Sequence, residues 1–463
     1  MHRRGLTFTE TLVAAGLTAA MAAIVLPAIS YSVQSWRSIQ CSNNLRQLAA
    51  GLNAYHDIHG NYPPGMEGTG GQPASTAISR PNWAVRILPY IDEEALYNTI
   101  EFSKTILHSG TIDPNNWPTP NVLMTATDLP IMQCPADARH EIKHPVRVGF
   151  NKKVPGNING AVFQDFARGN YAANACQAMA FYYPPGNARG AHSCAGPDQP
   201  EWLGGLGSPY PGMVAGAIPL RGVMGNRVSM PRPQITDGLT NTILLSELKV
   251  GLGSIDFRGC WAMGRPAASS LWWHLHGPND SHDLVGDDCF DAGELYSILG
   301  NGDINAGFQL AINERMGCGV DDFTPSAGNP KSQHDGGIFV AMCDGSVRFV
   351  KDSIQRGTHP PYWMGTPSEG ALGAWERLNM SADGQFVDPN AEGVLEFHLG
   401  DMDGDGDVDN FDIVPFELAL TNPNAYLEQY MIFDYALRGD CNGDGEFNNH
   451  DIQPFEDLLT RRR

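Results

Sequence analysis

The chain has 463 residues, enough for two or three domains, and 42% are apolar, enough to bury a sizeable core. Charged residues make up only 17% while Gly (52) and Pro (33) are abundant, which fits a loop-rich, partly β protein and excludes a coiled coil, a helical solenoid or a polytopic membrane protein. A net charge of −21 excludes nucleic acid as a partner and suits cations better, and the nine scattered cysteines lack the Cys-x-x-Cys pair of a Cys-rich zinc module.

The first element is apolar. Met1-His-Arg-Arg-Gly precedes a run from Leu6 to Ile29 whose only ionisable residue is Glu10. Leu12 to Ile29 roughly meets the ~20 apolar residues that span a bilayer as a helix. Arg3 and Arg4 place its start on the cytoplasmic side. A secretory signal peptide is the plain alternative, but the run is long for one and carries a carboxylate, which is costly in lipid and usually functional.

These residues resemble the type IV prepilin N-terminus. Gly5 matches the residue before the processing site, Leu6 becomes the first mature residue, Glu10 falls at mature position five, and Pro27 falls where many pilins have a kinking proline. The order Leu-Thr-Phe-Thr-Glu departs from the more usual Phe-Thr-Leu-x-Glu. The resemblance implies cleavage by a prepilin peptidase and assembly through Glu10, whose carboxylate pairs with the free N-terminal amine of a neighbouring subunit in lipid.

Beyond Pro27, Val33, Trp36, Ile39, Leu45, Leu48 and Leu52 recur at helical spacing, with Asn43, Arg46 and Gln47 on other faces. The spacing predicts a core-facing helix that ends at Gly60, Pro63 and Pro64. Further on, Cys41-Ser-Asn-Asn-Leu-Arg-Gln-Leu, Trp83-Ala-Val-Arg-Ile-Leu-Pro-Tyr-Ile, Cys134-Pro-Ala-Asp, Asn170-Tyr-Ala-Ala-Asn, Ile235-Thr-Asp-Gly and His334-x9-Asp344-Gly345 occur in order. The set resembles a large bacterial pilin-like family of unknown function that ends in a His-x9-Asp-Gly motif, matching over about residues 1–355. It implies an envelope protein and no known catalysis.

Read residue by residue, the same segments are structural. Ile338 to Met342 is a buried strand, Asp344-Gly345 a tight turn in which Gly supplies positive φ, and Ser346 to Val350 the return strand. Thr236-Asp237-Gly238 reads as a turn before a buried strand from Thr242 to Leu245. His334 is either a polar latch or a cation ligand together with Asp344. The densest His/Asp cluster is His274, His276, His282, Asp280, Asp283, Asp287 and Asp288, the only hint of a hydrolase. No Gly-x-Ser-x-Gly elbow, Walker loop or dinucleotide fingerprint accompanies it, and the expectation is that the chain is not an enzyme. Disulfides Cys289–Cys318 and Cys176–Cys194 are proposed from loop spacing, with Cys134 and Cys343 as buried thiols.

The chain closes on an internal repeat. Asp401-Met-Asp-Gly-Asp-Gly-Asp-Val-Asp-Asn-Phe-Asp-Ile aligns with Asp440-Cys-Asn-Gly-Asp-Gly-Glu-Phe-Asn-Asn-His-Asp-Ile, and Pro415-Phe-Glu with Pro454-Phe-Glu. Each copy has the oxygen donors and the turn glycine of a calcium loop. The expected ligands are Asp401, Asp403, Asp405, Asp407, Asp409 and Asp412 in the first copy. In the second they are Asp440, Asn442, Asp444, Glu446, Asn448 and Asp451. Asp at position twelve, followed by Ile and a short helix, resembles dockerin repeats, with an insertion around Asn422 to Phe433. That resemblance implies a cohesin-like partner docking on the helices around Ile413 to Leu420 and Ile452 to Leu459.

The expected architecture is α+β. A leader and transmembrane helix (1–30) continues as an amphipathic helix (31–60) packed on a large antiparallel β-rich domain (61–355). A linker (356–395) leads to a small helical module with two Ca²⁺ sites (396–463). The expected protein is a single-pass inner-membrane pilin or pseudopilin, its globular part in the periplasm or at the cell surface. The alternatives are a membrane-anchored or secreted calcium-dependent scaffold and, more distantly, an envelope hydrolase.

Overall fold

The computed structural model describes residues 36–67, 81–102, 120–148, 162–176, 222–225, 229–264, 267–272, 277–280, 292–317, 328–356, 373–381, 400–403, 408–430, 435–439, 441–442 and 447–461. Gly5, Leu6, Glu10 and the apolar run lie outside them. No helix among the described residues is long and apolar enough to cross a membrane.

The first described helix occupies 36–59 and stops at Gly60, whose φ of +77° no longer fits a helix. Cys41, Leu45, Leu48, Ala49 and Leu52 recur every three or four residues and are completely buried. They form one stripe against Trp83, Phe166, Tyr171, Trp261 and Phe339. Two residues depart from the helical count. Trp36 is 56% exposed, and Arg46 is buried, its guanidinium donating to the Asn43 side chain (2.9 Å) and the Tyr430 carbonyl (3.4 Å). Burial of an arginine needs such acceptors.

Under this helix lies a five-stranded sheet. β1 (His144–Val148) and β2 (Val162–Phe166) pair separately as an antiparallel ladder. The sheet consists of β3 (Tyr171–Cys176), β4 (Ile243–Glu247), β5 (Ser270–Trp272), β6 (Gly337–Met342) and β7 (Val347–Lys351), in the order β5-β3-β4-β6-β7. Every neighbouring pair is antiparallel except β3–β5, so the sheet is mixed. The strands expected at Thr242 to Leu245, Ile338 to Met342 and Ser346 to Val350 are β4, β6 and β7. Cys343-Asp344-Gly345 links β6 to β7, with Gly345 at φ +95° and its N–H donating to the Met342 carbonyl (3.0 Å).

Alternation along β6 divides the core in two. Phe339 and Ala341 face the main core with the first helix, while Ile338, Val340 and Met342 face Trp375 and Leu378. Those two sit on the helix Ala374–Asn379, inside the stretch read as a linker from sequence. A second, small core in the tail joins Met402, Phe416, Tyr426 and Phe455, with Phe416 and Phe455 stacked 4.0 Å apart. The fold is thus mixed α/β, with the first helix as its spine.

Candidate functional site

Two clusters of metal-capable side chains occur among the described residues. The first is in the tail. Gly400, at φ +95°, turns the chain against Val408, Phe455 and Leu458, where a side chain would have little room, and this sets the start of the first loop. One carboxylate oxygen from each of Asp401, Asp403 and Asp412 then lies within 4.8 Å of the others, and all three residues are buried. Asp412 fastens the loop. Its Oδ1 accepts from the N–H groups of Met402 (2.6 Å) and Asp403 (3.0 Å), and its Oδ2 from that of Asp409 (2.8 Å). In the second copy Asp451 accepts from the N–H groups of Asn442 (3.0 Å) and Asn448 (2.8 Å). The position-twelve carboxylate therefore does the same structural work in both repeats. Asp405, Asp407, Asp440, Asp444 and Glu446 lie outside the described residues.

Three buried carboxylates crowd together in the first loop. Burial, and after it the Asp401 carboxylate, push Asp412 up to about 8, even though three N–H groups pull the other way. Arg438 supplies one compensating charge, its guanidinium 2.8 Å from Asp401 Oδ2 and 3.1 Å from the Asp401 carbonyl. Within the inserted segment between the repeats, Pro423–Tyr430 is a helix, whose buried Tyr426 donates its hydroxyl to the Met402 carbonyl (2.6 Å). Around the helix starts that follow each loop, Phe411 (48%), Val414 (63%) and Ile452 (41%) are exposed apolar side chains.

The second cluster lies under the first helix. Cys41 is disulfide-bonded to Cys134, a correction to the reading of Cys134 as a free thiol. The helix stripe and the turn Pro130–Met132 bring the two sulfurs together across 93 residues, a contact that local spacing does not reveal. Asn44 reinforces the contact by donating to the Gln133 carbonyl (2.8 Å). His334 Nε2 is 3.5 Å from Cys134 Sγ and 3.3 Å from Glu247 Oε1, and its Nδ1 is 3.2 Å from Ser38 Oγ. Glu247 Oε2 accepts from the Phe339 N–H (2.8 Å), and the Phe339 ring stands edge-on to the imidazole. All four donor residues are buried.

Asp344 is not in this cluster. It sits exposed at the far end of β6 from His334, accepting from the N–H (2.9 Å) and hydroxyl (2.7 Å) of Ser346. The two ends of the His-x9-Asp-Gly motif thus serve different jobs: one anchors the buried centre, the other shapes a surface turn. Of the His/Asp cluster, Asp280 is ion-paired with Arg356 (2.6 Å) and the rest lies outside the described residues. Cys343 and Cys260 are buried free thiols, while Cys194, Cys289 and Cys318 lie outside the described residues. Cys176 ends β3.

A family model described as "Protein of unknown function (DUF1559)" matches residues 34–357, which contain the first helix, the sheet and the buried centre. No curated protein and no solved structure matches the chain.

Proposed function

We propose a function for a chain that belongs to the DUF1559 family of proteins of unknown function: a pilin-like envelope subunit with a calcium-stabilised tail. The observation that carries the reading is the way the first helix is fixed. It continues in sequence from the apolar run, forms the spine of the domain, and is covalently tied to it by Cys41–Cys134. A disulfide suits an exported domain, and a helix that is part membrane segment, part core is the design of a pilin. The mature N-terminus of the protein from native membranes, read by mass spectrometry, tests this. A chain starting at Leu6, N-methylated, is expected. A start near residue 30 would sink the pilin reading and leave the secreted scaffold, whose docking face the exposed Phe411, Val414 and Ile452 favour.

The tail's donors fit calcium in kind: oxygen only, several carboxylates, one compact loop. Asp401, Asp403 and Asp412 would hold the ion in the first copy, and Asp451 would help to hold it in the second. A bound Ca²⁺ would add positive charge to that of Arg438 beside three buried carboxylates. At a calcium concentration a hundredfold above Kd, the tail should gain about 2.7 kcal/mol for each site filled. The expected result is two binding events in calorimetry and a chelator-reversible rise in the tail's melting temperature. Asp403→Ala should remove the first event. Absence of binding heat in the unaltered chain would rule the calcium reading out.

A further inference from the structure

The centre under the first helix contains more than a cross-link requires. A disulfide between a helix and a loop needs no imidazole and no carboxylate, and burying both is costly unless each is held by partners. Here both are held, and in a specific way. Four elements each contribute one donor: Cys41 from the first helix, Cys134 after the turn Pro130–Met132, Glu247 from the end of β4, and His334 from the loop before β6. Each non-sulfur donor uses its outer atom on a support. The Nδ1 of His334 meets Ser38, and the Oε2 of Glu247 meets the Phe339 N–H. The inner atoms, Nε2 and Oε1, are left facing each other and the sulfurs. That is how metal-ligating histidines and carboxylates are oriented by an outer shell.

The donor types point to a particular ion. With bonds of about 2.3 Å to sulfur and about 2.0 Å to nitrogen and oxygen, the edges of a tetrahedron are about 3.5 Å for S to N and about 3.3 Å for N to O. Already in the disulfide form His334 Nε2 lies 3.5 Å from Cys134 Sγ and 3.3 Å from Glu247 Oε1, whereas the two bonded sulfurs must part to about 3.8 Å after reduction. The donor set is two sulfurs, one imidazole nitrogen and one carboxylate oxygen, all within 4.8 Å of one another. That mixture suits zinc, and is too soft for calcium or magnesium.

We propose that Cys41, Cys134, His334 and Glu247 form a redox-gated zinc site, closed to metal while the disulfide stands and opened by its reduction. Thiolate is the ligand form of cysteine, so the sulfurs are unavailable while bonded to each other. A dithiol reductant breaks the S–S bond by exchange. Its two electrons and two protons pass to Cys41 and Cys134, and it leaves as its own disulfide. Zinc binding by the two thiols then releases two protons to solvent. The site keeps the first helix fastened in both states, by a covalent bond in one and by a shared ion in the other.

The test uses the full chain. It is unfolded, reduced with tris(2-carboxyethyl)phosphine, which becomes its oxide as water supplies the oxygen and the protons, and refolded with Zn²⁺ or Co²⁺ in excess Ca²⁺. One equivalent of Co²⁺ should bind, with sulfur-to-cobalt charge transfer and the visible bands of tetrahedral cobalt. Zinc should displace it, and the oxidised chain should show neither signal. Ser38→Ala, which leaves all four ligands in place, should weaken affinity by about tenfold or more. Glu247→Gln and His334→Ala should weaken it further. A reduced chain that folds without taking up one equivalent of metal overturns the proposal. So does one that stays unfolded with zinc present, or one whose cobalt signal is indifferent to His334→Ala.

Discussion

Replacing Cys41 and Cys134 together with serine should destabilise the metal-free folded domain by about 4 kcal/mol. The cross-link spans a sequence separation of 93 residues. In the chain-entropy account, closing a loop of that order removes roughly 4–5 kcal/mol of conformational freedom from the unfolded ensemble. Serine adds little further loss, because its hydroxyl is smaller than a thiol and, at position 134, has the His334 imidazole beside it. Chemical denaturation of the oxidised wild type and of the double variant, both in chelator, measures the difference. A shift below about 1 kcal/mol would mean that the helix stripe alone holds the spine, and that the cross-link does not limit the unfolded chain.

The second large effect lies at Asp256. This carboxylate and Arg258 are both completely buried and form a paired fork, Nη2 to Oδ2 at 2.7 Å and Nε to Oδ1 at 3.0 Å. The same carboxylate accepts from the Leu252 N–H (3.0 Å). Arg168, also fully buried, spends its guanidinium on the carbonyls of Ile142, Arg258 and Gly253, and Asp256 is a negative charge near both arginines. Asp256→Ala should cost about 3–5 kcal/mol, because it removes the carboxylate that accepts two hydrogen bonds from a buried guanidinium. Adding Arg258→Met should recover part of the loss, since an apolar pair is often tolerated where half an ion pair is not. A double variant no more stable than the single one would refute this account. The pH behaviour has a definite sign. Burial pushes Asp256 up, but Arg258, Arg168 and the Leu252 N–H together outweigh it and hold the carboxyl below its ordinary 3.8. Its contribution is therefore complete above 3.8 and is lost as the pH falls through the lower folded value.

What could be read from the sequence was local. β4, β6 and β7 announce themselves through short apolar or alternating runs, and Asp344-Gly345 through turn chemistry, because the signal and the structure span the same few residues. The first helix was legible for the same reason, down to Leu45, Leu48 and Leu52. Arg46 lies off the stripe beside Asn43, as its spacing predicts, but its burial is not legible because its acceptor, the Tyr430 carbonyl, is 384 residues away. The buried centre was illegible for a related cause: Ser38 meets His334 across 296 residues and Cys134 meets it across 200, and no spacing rule reaches that far. In the tail, the repeat gave the loops but hid the helix Pro423–Tyr430, since an insertion between copies has no counterpart to align with.

The position of the cross-link also decides how the protein bears mechanical load. Tension entering through the N-terminal end of the first helix reaches Cys41 within six residues of Trp36. There it divides, and the covalent branch passes directly to Cys134, so the 92 residues between the two cysteines are shielded from the pull. The force leaves that branch beside Asn170, whose side chain accepts from the Cys134 N–H (2.9 Å) and donates to Asp137 (3.1 Å) and to the Leu248 carbonyl (3.1 Å). The load is thus carried into the end of β4 through the side chain of a single buried asparagine.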